Sequence, residues 1–432
     1  MRLAFILSLA ASAFAAETAP PNILFIIADD CTHRDLGCYG GHAHTPNIDK
    51  LAEQGMRFTQ CFQTAPMCST TRHNIYTGLY PVKSGAYPNH AIVKDRVKSV
   101  VHYLKPLGYR IALSGKTHIA PRQAFRFEYS GKKNLDMQVI DKLFADCAKS
   151  ETPLCPFACS NEPHSPWDKG DASKYPPEEI KLPPYFVDTP ETRENMSKYL
   201  AEITYYDKQV GQCLELLEKH RLTDNTMVVC VSEQGSGLPF AKWTCYDSGL
   251  QSACIVRWPG KVAAAGADTP EVLDGRSFIP VLEGKATKHK DYVYGLHTTR
   301  GINNGSDYFG IRSVRSTKFK LIRNLTPEVT FTNAATRGAV FKSWKRKART
   351  DPDAADKVNR YQHRPAVELF DISRDPFEWH NLADDPKFTE VRKELTAELD
   401  RWMKSQGDQG QQTELEATQH QAKWARNKKA GK

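Results

Sequence analysis

The chain reads as an α/β protein: a mostly parallel sheet between helices, followed by a smaller antiparallel sheet carrying one helix. Short apolar runs rich in β-branched residues occur at 23–28, 111–114, 156–160 and 227–232. Stretches with helical spacing at 47–55, 95–107 and 193–220 lie between them, the pattern of strands joined by crossover helices. After about residue 286 the pattern changes. The segments 292–297, 309–314, 319–322 and 367–371 look like short strands with few intervening helices, and a helix is expected at 387–405, an α+β arrangement.

A chain of 432 residues can bury a large core. Its first 16 residues read as an export signal: Arg2 supplies the charge, residues 3–14 an apolar run, and Ala13-Phe14-Ala15 the small residues for cleavage. No later stretch reaches the roughly 20 apolar residues needed to cross a bilayer. The expectation is therefore a secreted or periplasmic protein without a membrane anchor, with an α/β domain at 17–285, an α+β subdomain at 286–406, and a polar basic tail at 407–432 that takes no fixed structure.

Eleven cysteines leave at least one unpaired. Cys155 and Cys159 are near enough in sequence to pair, whereas Cys213, Cys230 and Cys254 sit in apolar settings that suit buried thiols. The formal charge of +9 would attract an acidic polymer, but much of the excess lies at 342–349 and 423–432, where a solvated, partly disordered end explains it equally well. No nucleic-acid partner is expected.

In open α/β sheets ligands bind outside the carboxyl ends of the strands. Here the first run ends in Asp29-Asp30 and the fourth in Glu233-Gln234. Together these would form an all-oxygen cage suited to a hard cation such as calcium; an isolated Asp-Asp is more often a turn or a cap. The second run leads into Lys116 and His118 and the third into Pro163-His164. A single such histidine is usually a hydrogen-bonded loop residue, but two beside a lysine and four oxygen donors suggest a site. The segment 66–78 reads as a loop entering a short helix that stops at Gly78, with Cys68 at the positive end of the helix dipole and Arg72 one turn on. From the residues alone, Cys68 is either a reactive thiol or a buried cysteine. Trp167, Trp243 and His297 are candidates for lining a pocket, but such residues are more often packing, and they are not assigned to the site.

In these segments the chain resembles the formylglycine sulfatases of the alkaline phosphatase superfamily. The likeness runs in order through Pro21-Asn22-Ile23 to Asp30, Thr45-Pro46-Asn47-Ile48-Asp49, Cys68 to Thr77-Gly78, Gly115-Lys116-Thr117-His118, Pro163-His164 and Leu369-Phe370-Asp371. Within that family it most resembles the heparan N-sulfatase (sulfamidase)-like group, through Pro184-Tyr185-Phe186-Val187-Asp188, Ile311-Arg312-Ser313-Val314-Arg315 and Lys320-Leu321-Ile322-Arg323. The resemblance implies an alkaline-phosphatase-like fold and a sulfatase acting on sulfate esters or sulfamates of a sulfated glycan or glycosaminoglycan-like substrate. It implies that a formylglycine-generating enzyme oxidises Cys68, that one hydroxyl of the hydrated aldehyde attacks sulfur, and that deprotonating the second expels sulfate. It further implies Ca2+ on Asp29, Asp30, Cys68, Glu233 and Gln234; Arg72 holding the formylglycine; Lys116 and Lys242 neutralising sulfate; His118 on the formylglycine hydroxyl; and His164 as proton donor to the leaving group.

Three departures stand out. Thr70 occupies the position where the family has proline or alanine. Glu233-Gln234 replaces a shorter Asp followed by Asn or His, so a local readjustment of the site is expected. The segment after Gly260 is much shorter than usual, which predicts a trimmed sheet periphery. The same pattern would also suit a phosphodiesterase or phosphonate hydrolase of the superfamily, or a sulfated-glycan binding protein without catalysis.

Overall fold

The computed structural model describes residues 20–259 and 273–422. Thirteen strands are present among them: β1 Asn22–Ala28, β2 Met56–Arg57, β3 Cys61–Phe62, β4 Arg110–Gly115, β5 Glu128–Tyr129, β6 Leu154–Cys159, β7 Thr226–Ser232, β8 Gln251–Ser252, β9 Cys254–Arg257, β10 Val293–Thr298, β11 Gly310–Arg315, β12 Phe319–Asn324 and β13 Val367–Asp371. The helices are α1 Pro46–Glu53, α2 Cys68–Thr77, α3 Pro81–Ser84, α4 Val100–Leu104, α5 Met137–Ser150, α6 Pro190–Lys219, α7 Asp247–Leu250, α8 Ile279–Leu282, α9 Ala339–Lys347, α10 Pro352–Gln362, α11 Thr389–Gln406 and α12 Gln411–Glu416. None is long and apolar enough to cross a membrane.

The large sheet has the order β2-β9-β7-β1-β6-β4-β5. From β7 to β5 every pairing is parallel, while β9 and β2 close one edge antiparallel. Central β1 is apolar from Ile23 to Ala28 because both of its faces are covered. Leu24, Ile26 and Ala28 join the core built with α1, α5 and α6, and Ile27 packs on the other side with Tyr76 of α2, Phe125 and Phe157. Side chains alternate along a strand, so one run feeds both cores.

The expected strands and helices are present, with shifted ends. The helix expected from residue 95 begins at Val100, because Ser99 and His102 cap it reciprocally. At α6, Thr189 accepts a hydrogen bond from the Thr192 amide and Pro190 occupies the first turn.

The antiparallel sheet β10-β11-β12-β13 packs on α11 through Leu296, Val314, Leu321, Leu395, Leu399 and Trp402. Two expectations fail here. Helices α9 and α10 stand between β12 and β13, where few helices were expected. The basic stretch at 342–349 is largely helical: Phe341 and Trp344 are fully buried while Lys342, Lys345 and Arg346 face solvent. The indole of Trp344 donates to Thr192 at 2.8 Å, docking this helix on α6.

The tail expected to lack structure from residue 407 is also folded as far as it is described. Asp408 and Glu414 are buried against Arg312 of β11, whose Nη2 lies 3.1 Å from Asp408 and 2.9 Å from Glu414. The segment is poor in apolar residues because charge pairing, not apolar burial, anchors it. Residues 1–16, the short segment after Gly260 and the basic end at 423–432 fall outside the described residues. Cys155 and Cys159 are not paired. Four residues along one extended strand separate their Cα atoms by about 13 Å, beyond disulfide reach. Cys213 and Cys230 are buried free thiols as expected, while Cys254 is partly exposed.

Removing one side of a buried ion pair leaves the other charge stranded, typically at a cost of about 3–5 kcal/mol. Arg312→Ala should lower the urea midpoint accordingly. Arg323→Ala, which breaks an exposed pair with Asp400, should cost under about 1 kcal/mol.

Candidate active site

Strands β7, β1, β6 and β4 end level with one another. Ala28 pairs with Ser232, Ile27 with Cys159, and Cys159 with Gly115. Hydrogen bonding continues one step beyond the strands: the Asp29 amide donates to the Glu162 carbonyl at 2.9 Å, Lys116 to Cys159 at 3.0 Å, and Glu233 to Ala28 at 3.2 Å. Asp29, Asp30, Lys116, Glu162, Glu233 and Gln234 are thereby drawn to one edge of the sheet. Cys68 is the first residue of α2, and Gly78 ends that helix in the left-handed conformation with φ 68°, as the sequence predicts.

Asp29, Asp30, Glu233 and Gln234 are all buried, so the three carboxyl groups and the amide require partners. Arg72 Nε lies 2.5 Å from Glu233 Oε2, and its Nη1 donates to the Lys116 carbonyl at 2.9 Å. The Lys116 ammonium sits on Asp29 and 3.8 Å from Glu233; Lys242 lies 2.7 Å from Asp30. Three carboxylates thus face three cations. Burial raises the Asp29 carboxyl most, but the Lys116 charge, a hydrogen bond with Glu233 and the positive charges of His164 and Lys242 together hold the group well below the usual range. Burial, with the Asp29 charge added, pushes Glu233 well above its ordinary value against the pull of Arg72. Burial pulls the two lysines down, yet Asp29 and Asp30 keep Lys116 and Lys242 above the usual lysine value.

Ligand atoms of Asp29, Cys68 and Glu233 lie within 4.8 Å of one another. Asp29 Oδ1 and Gln234 Oε1 are buried and make no hydrogen bond. Two orphaned oxygens within a mainly carboxylate donor set fit a hard divalent cation. The longer Glu-Gln pair is fully engaged: Glu233 reaches across to Arg72, and Gln234 Nε2 donates to Asp30 Oδ1 at 2.5 Å.

His164 Nδ1 bonds the Ser165 carbonyl at 2.6 Å, which leaves Nε2 available 3.6 Å from Asp30. His118 Nε2 lies 2.8 Å from His90 Nδ1, while its own Nδ1 is buried without a hydrogen bond. Burial and then the charges of Lys116 and Arg72 pull His118 down to about 3, so this ring is neutral. Asp29, Cys68, Lys116, His118, His164 and Lys242 all line one open cavity of about 580 Å³. All the candidate site residues therefore meet at one place, with Arg72, Asp30, Glu233 and Gln234 in its buried wall.

The sequence pattern of the family described as "Sulfatase" matches residues 21–276. The chain belongs to the sulfatase family. It is accordingly a sulfuric ester or sulfamate hydrolase. It is similar to an ulvan-active sulfatase of Formosa agariphila, 32% identical over 425 residues that cover 91% of this chain and 82% of that one. It is also similar to the human N-sulphoglucosamine sulphohydrolase, 24% identical, with 89% and 90% covered. The fold matches that of a solved 2-O GAG sulfatase with a TM-score of 0.67 at 19% identity, covering 90% of this chain and 93% of that one.

The sulfatase cavity is lined by further residues that sequence reasoning did not assign: Asn89, His90, Asn134, Asn161, Glu162, Lys169, Trp243 and Asn303. The strand-end rule could have found Asn161 and Glu162, which follow β6 directly. His90 lies in a loop with no such signal. Trp243 borders the cavity, with Lys242 over its ring at 4.8 Å. Trp167 instead packs on Tyr199, and His297 is buried in β10 against Phe331.

Two predictions follow from this geometry. A cation that binds only the folded cluster stabilises it by about 2.7 kcal/mol at 100 times its dissociation constant, so calcium should raise the melting temperature and a chelator reverse the shift, with Asp29→Asn abolishing both effects. His73 of α2, held at about 4 by burial despite its bond to the Ser69 carbonyl, is neutral when folded. The unfolded chain then binds the extra proton, so its stabilising contribution is complete above pH 6.5 and is lost as pH falls towards 4. Urea midpoints between pH 7 and 4 should fall less steeply for His73→Asn than for the parent.

Proposed function

We propose that this protein is an exported, calcium-dependent sulfatase that removes sulfate from sulfated carbohydrates after Cys68 is oxidised to formylglycine. The observation that carries the reading is the position of Cys68 at the N-terminus of α2, within 4.8 Å of ligand atoms of Asp29 and Glu233, on the wall of a cavity lined with cations. Polysaccharide and amino-sugar sulfates are the substrate class that the names of the two relatives support. The apolar run at residues 3–14 behind Arg2 supports export to the periplasm or medium.

Asp29, Asp30, Glu233 and Gln234 would hold the calcium ion. When bound, the ion supplies Lewis acidity towards the sulfate oxygens, and the hydrated aldehyde at position 68 supplies a hydroxyl nucleophile. The protein's own side chains do the rest. Arg72 fixes Glu233 beneath Cys68 and neutralises it. Lys116 and Lys242 present positive charge where the sulfate oxygens gain negative charge. His164, with Nδ1 committed to the Ser165 carbonyl, keeps Nε2 for the leaving oxygen or nitrogen.

Expression beside a formylglycine-generating enzyme, followed by mass spectrometry of the peptide around Cys68, should show a loss of about 18 Da, the difference between thiol and aldehyde side chains. The modified protein with calcium should then release sulfate from sulfated saccharides far faster than it cleaves phosphodiesters. Lys242→Ala should lower kcat by about 10²–10³, the usual effect of removing one charge-stabilising group. Sulfated glycan bound without sulfate release, by protein carrying both aldehyde and calcium, would overturn the proposal.

A further inference from the structure

His90 has no place in the sulfatase pattern outlined above, yet the fold goes to some length to hold it. Its backbone has φ 58°, in the left-handed region that residues with a side chain seldom adopt. Three separate parts of the chain pin the loop around it. From α2, the Thr70 hydroxyl lies 3.2 and 3.3 Å from the carbonyls of Tyr87 and Pro88. From the loop after β10, the Arg300 carbonyl accepts from the Asn89 amide at 3.1 Å and the Gly301 carbonyl from its side chain at 3.2 Å. A Cβ on Gly301 would fall 2.4 Å from the Asn89 carbonyl oxygen, so only glycine permits that approach.

The third part is the C-terminal segment after α12. The Gln421 side chain donates to the Asn89 carbonyl at 3.0 Å, the Ala422 amide to the His90 carbonyl at 2.9 Å, and the Ile92 amide to the His420 carbonyl at 2.8 Å. This segment crosses from the far end of the small subdomain and forms a short antiparallel bridge at Ala91 and Gln421. The product of all this bracing is one contact, His90 Nδ1 at 2.8 Å from His118 Nε2.

Building on the proposed function, we infer that His90 is a positioning residue that selects the tautomer of His118: it accepts the Nε2 proton and leaves His118 Nδ1 with a free lone pair, a hydrogen-bond acceptor on the cavity that residue 68 also lines. The direction of the hydrogen bond follows from the surroundings. Were His90 the donor, His118 would carry its proton on Nδ1, which is buried and has no acceptor, in the field of Lys116, Arg72 and Lys242. A buried N–H without an acceptor is costly, and the positive field favours a lone pair there instead. Thr70 thereby gains a reason: proline or alanine at this position could not tie α2 to the loop that carries His90.

The test begins with the unmodified protein, in which Cys68 is still a thiol. Long-range proton–nitrogen correlation spectra of ¹⁵N-histidine-labelled protein should show His118 protonated at Nε2, its signals assigned by their absence in His118→Asn. In His90→Ala that preference should be lost, and in His90→Asn, whose Oδ1 takes the place of the ring Nδ1, it should persist. Gln421→Ala, which loosens the loop without touching either ring, should give a mixture. On modified enzyme, His90→Ala should lower kcat about 10-fold or more with little change in KM, the signature of a misoriented imidazole beside the nucleophile, and His90→Asn should stay within about 3-fold of the parent. His118 protonated at Nδ1 in the parent, or an unchanged tautomer and kcat in His90→Ala, would overturn the inference. Absence of sulfate release from fully modified parent enzyme would refute the function instead, and leaves the tautomer result standing.

Discussion

Everything at this site depends on the neutralisation of three buried carboxylates. Asp29, Asp30 and Glu233 lie where the central strands end, and the energy of placing those charges in a region of low dielectric would be prohibitive without Arg72, Lys116 and Lys242 in contact with them. The partners arrive from three different elements: α2, the end of β4 and the loop before α7. Assembly of the sheet, docking of α2 and burial of the acidic cluster are therefore parts of one event. Cys68 reaches the cluster because it opens the same helix that delivers Arg72.

The small subdomain contributes more than a second core. Its C-terminal segment carries few large apolar residues, and its attachment is electrostatic, through Asp408 and Glu414 on the buried Arg312. Having been fixed there, the chain continues to the loop at 87–92 and reaches the rim of the catalytic cavity. Helix α9 likewise turns back onto α6, with Phe331, Phe341 and Trp344 continuing the core of the large sheet. Both returns make the two parts of the chain share packing and, at His90, share the site.

Two of the departures from the family pattern have structural counterparts. Glu233 pairs with Arg72 and the Gln234 amide engages Asp30, so both longer side chains are tied into the cluster. Thr70 replaces a residue without a hydroxyl, and that hydroxyl braces the loop of His90.

The α/β architecture, the four strands of the parallel core and the place of Asp29, Asp30, Lys116, Glu233 and Gln234 at strand ends were legible in the sequence. Short β-branched apolar runs and strand-end polarity are local properties, written within a few consecutive residues. So was the short helix opened by Cys68 and closed by Gly78. Tertiary structure alone decided which ends lie side by side, that Lys116 takes Asp29 while Lys242 takes Asp30, and that His90 meets His118. It also decided the order of the polar tail, which composition assigned to disorder: Arg312 and its partners Asp408 and Glu414 are 96 and 102 residues apart in sequence, and no local pattern encodes a pairing between charges so distant along the chain. Elements formed by short-range burial can be read from sequence, whereas contacts selected by charge and backbone hydrogen bonding between remote segments arise only when the fold brings them together.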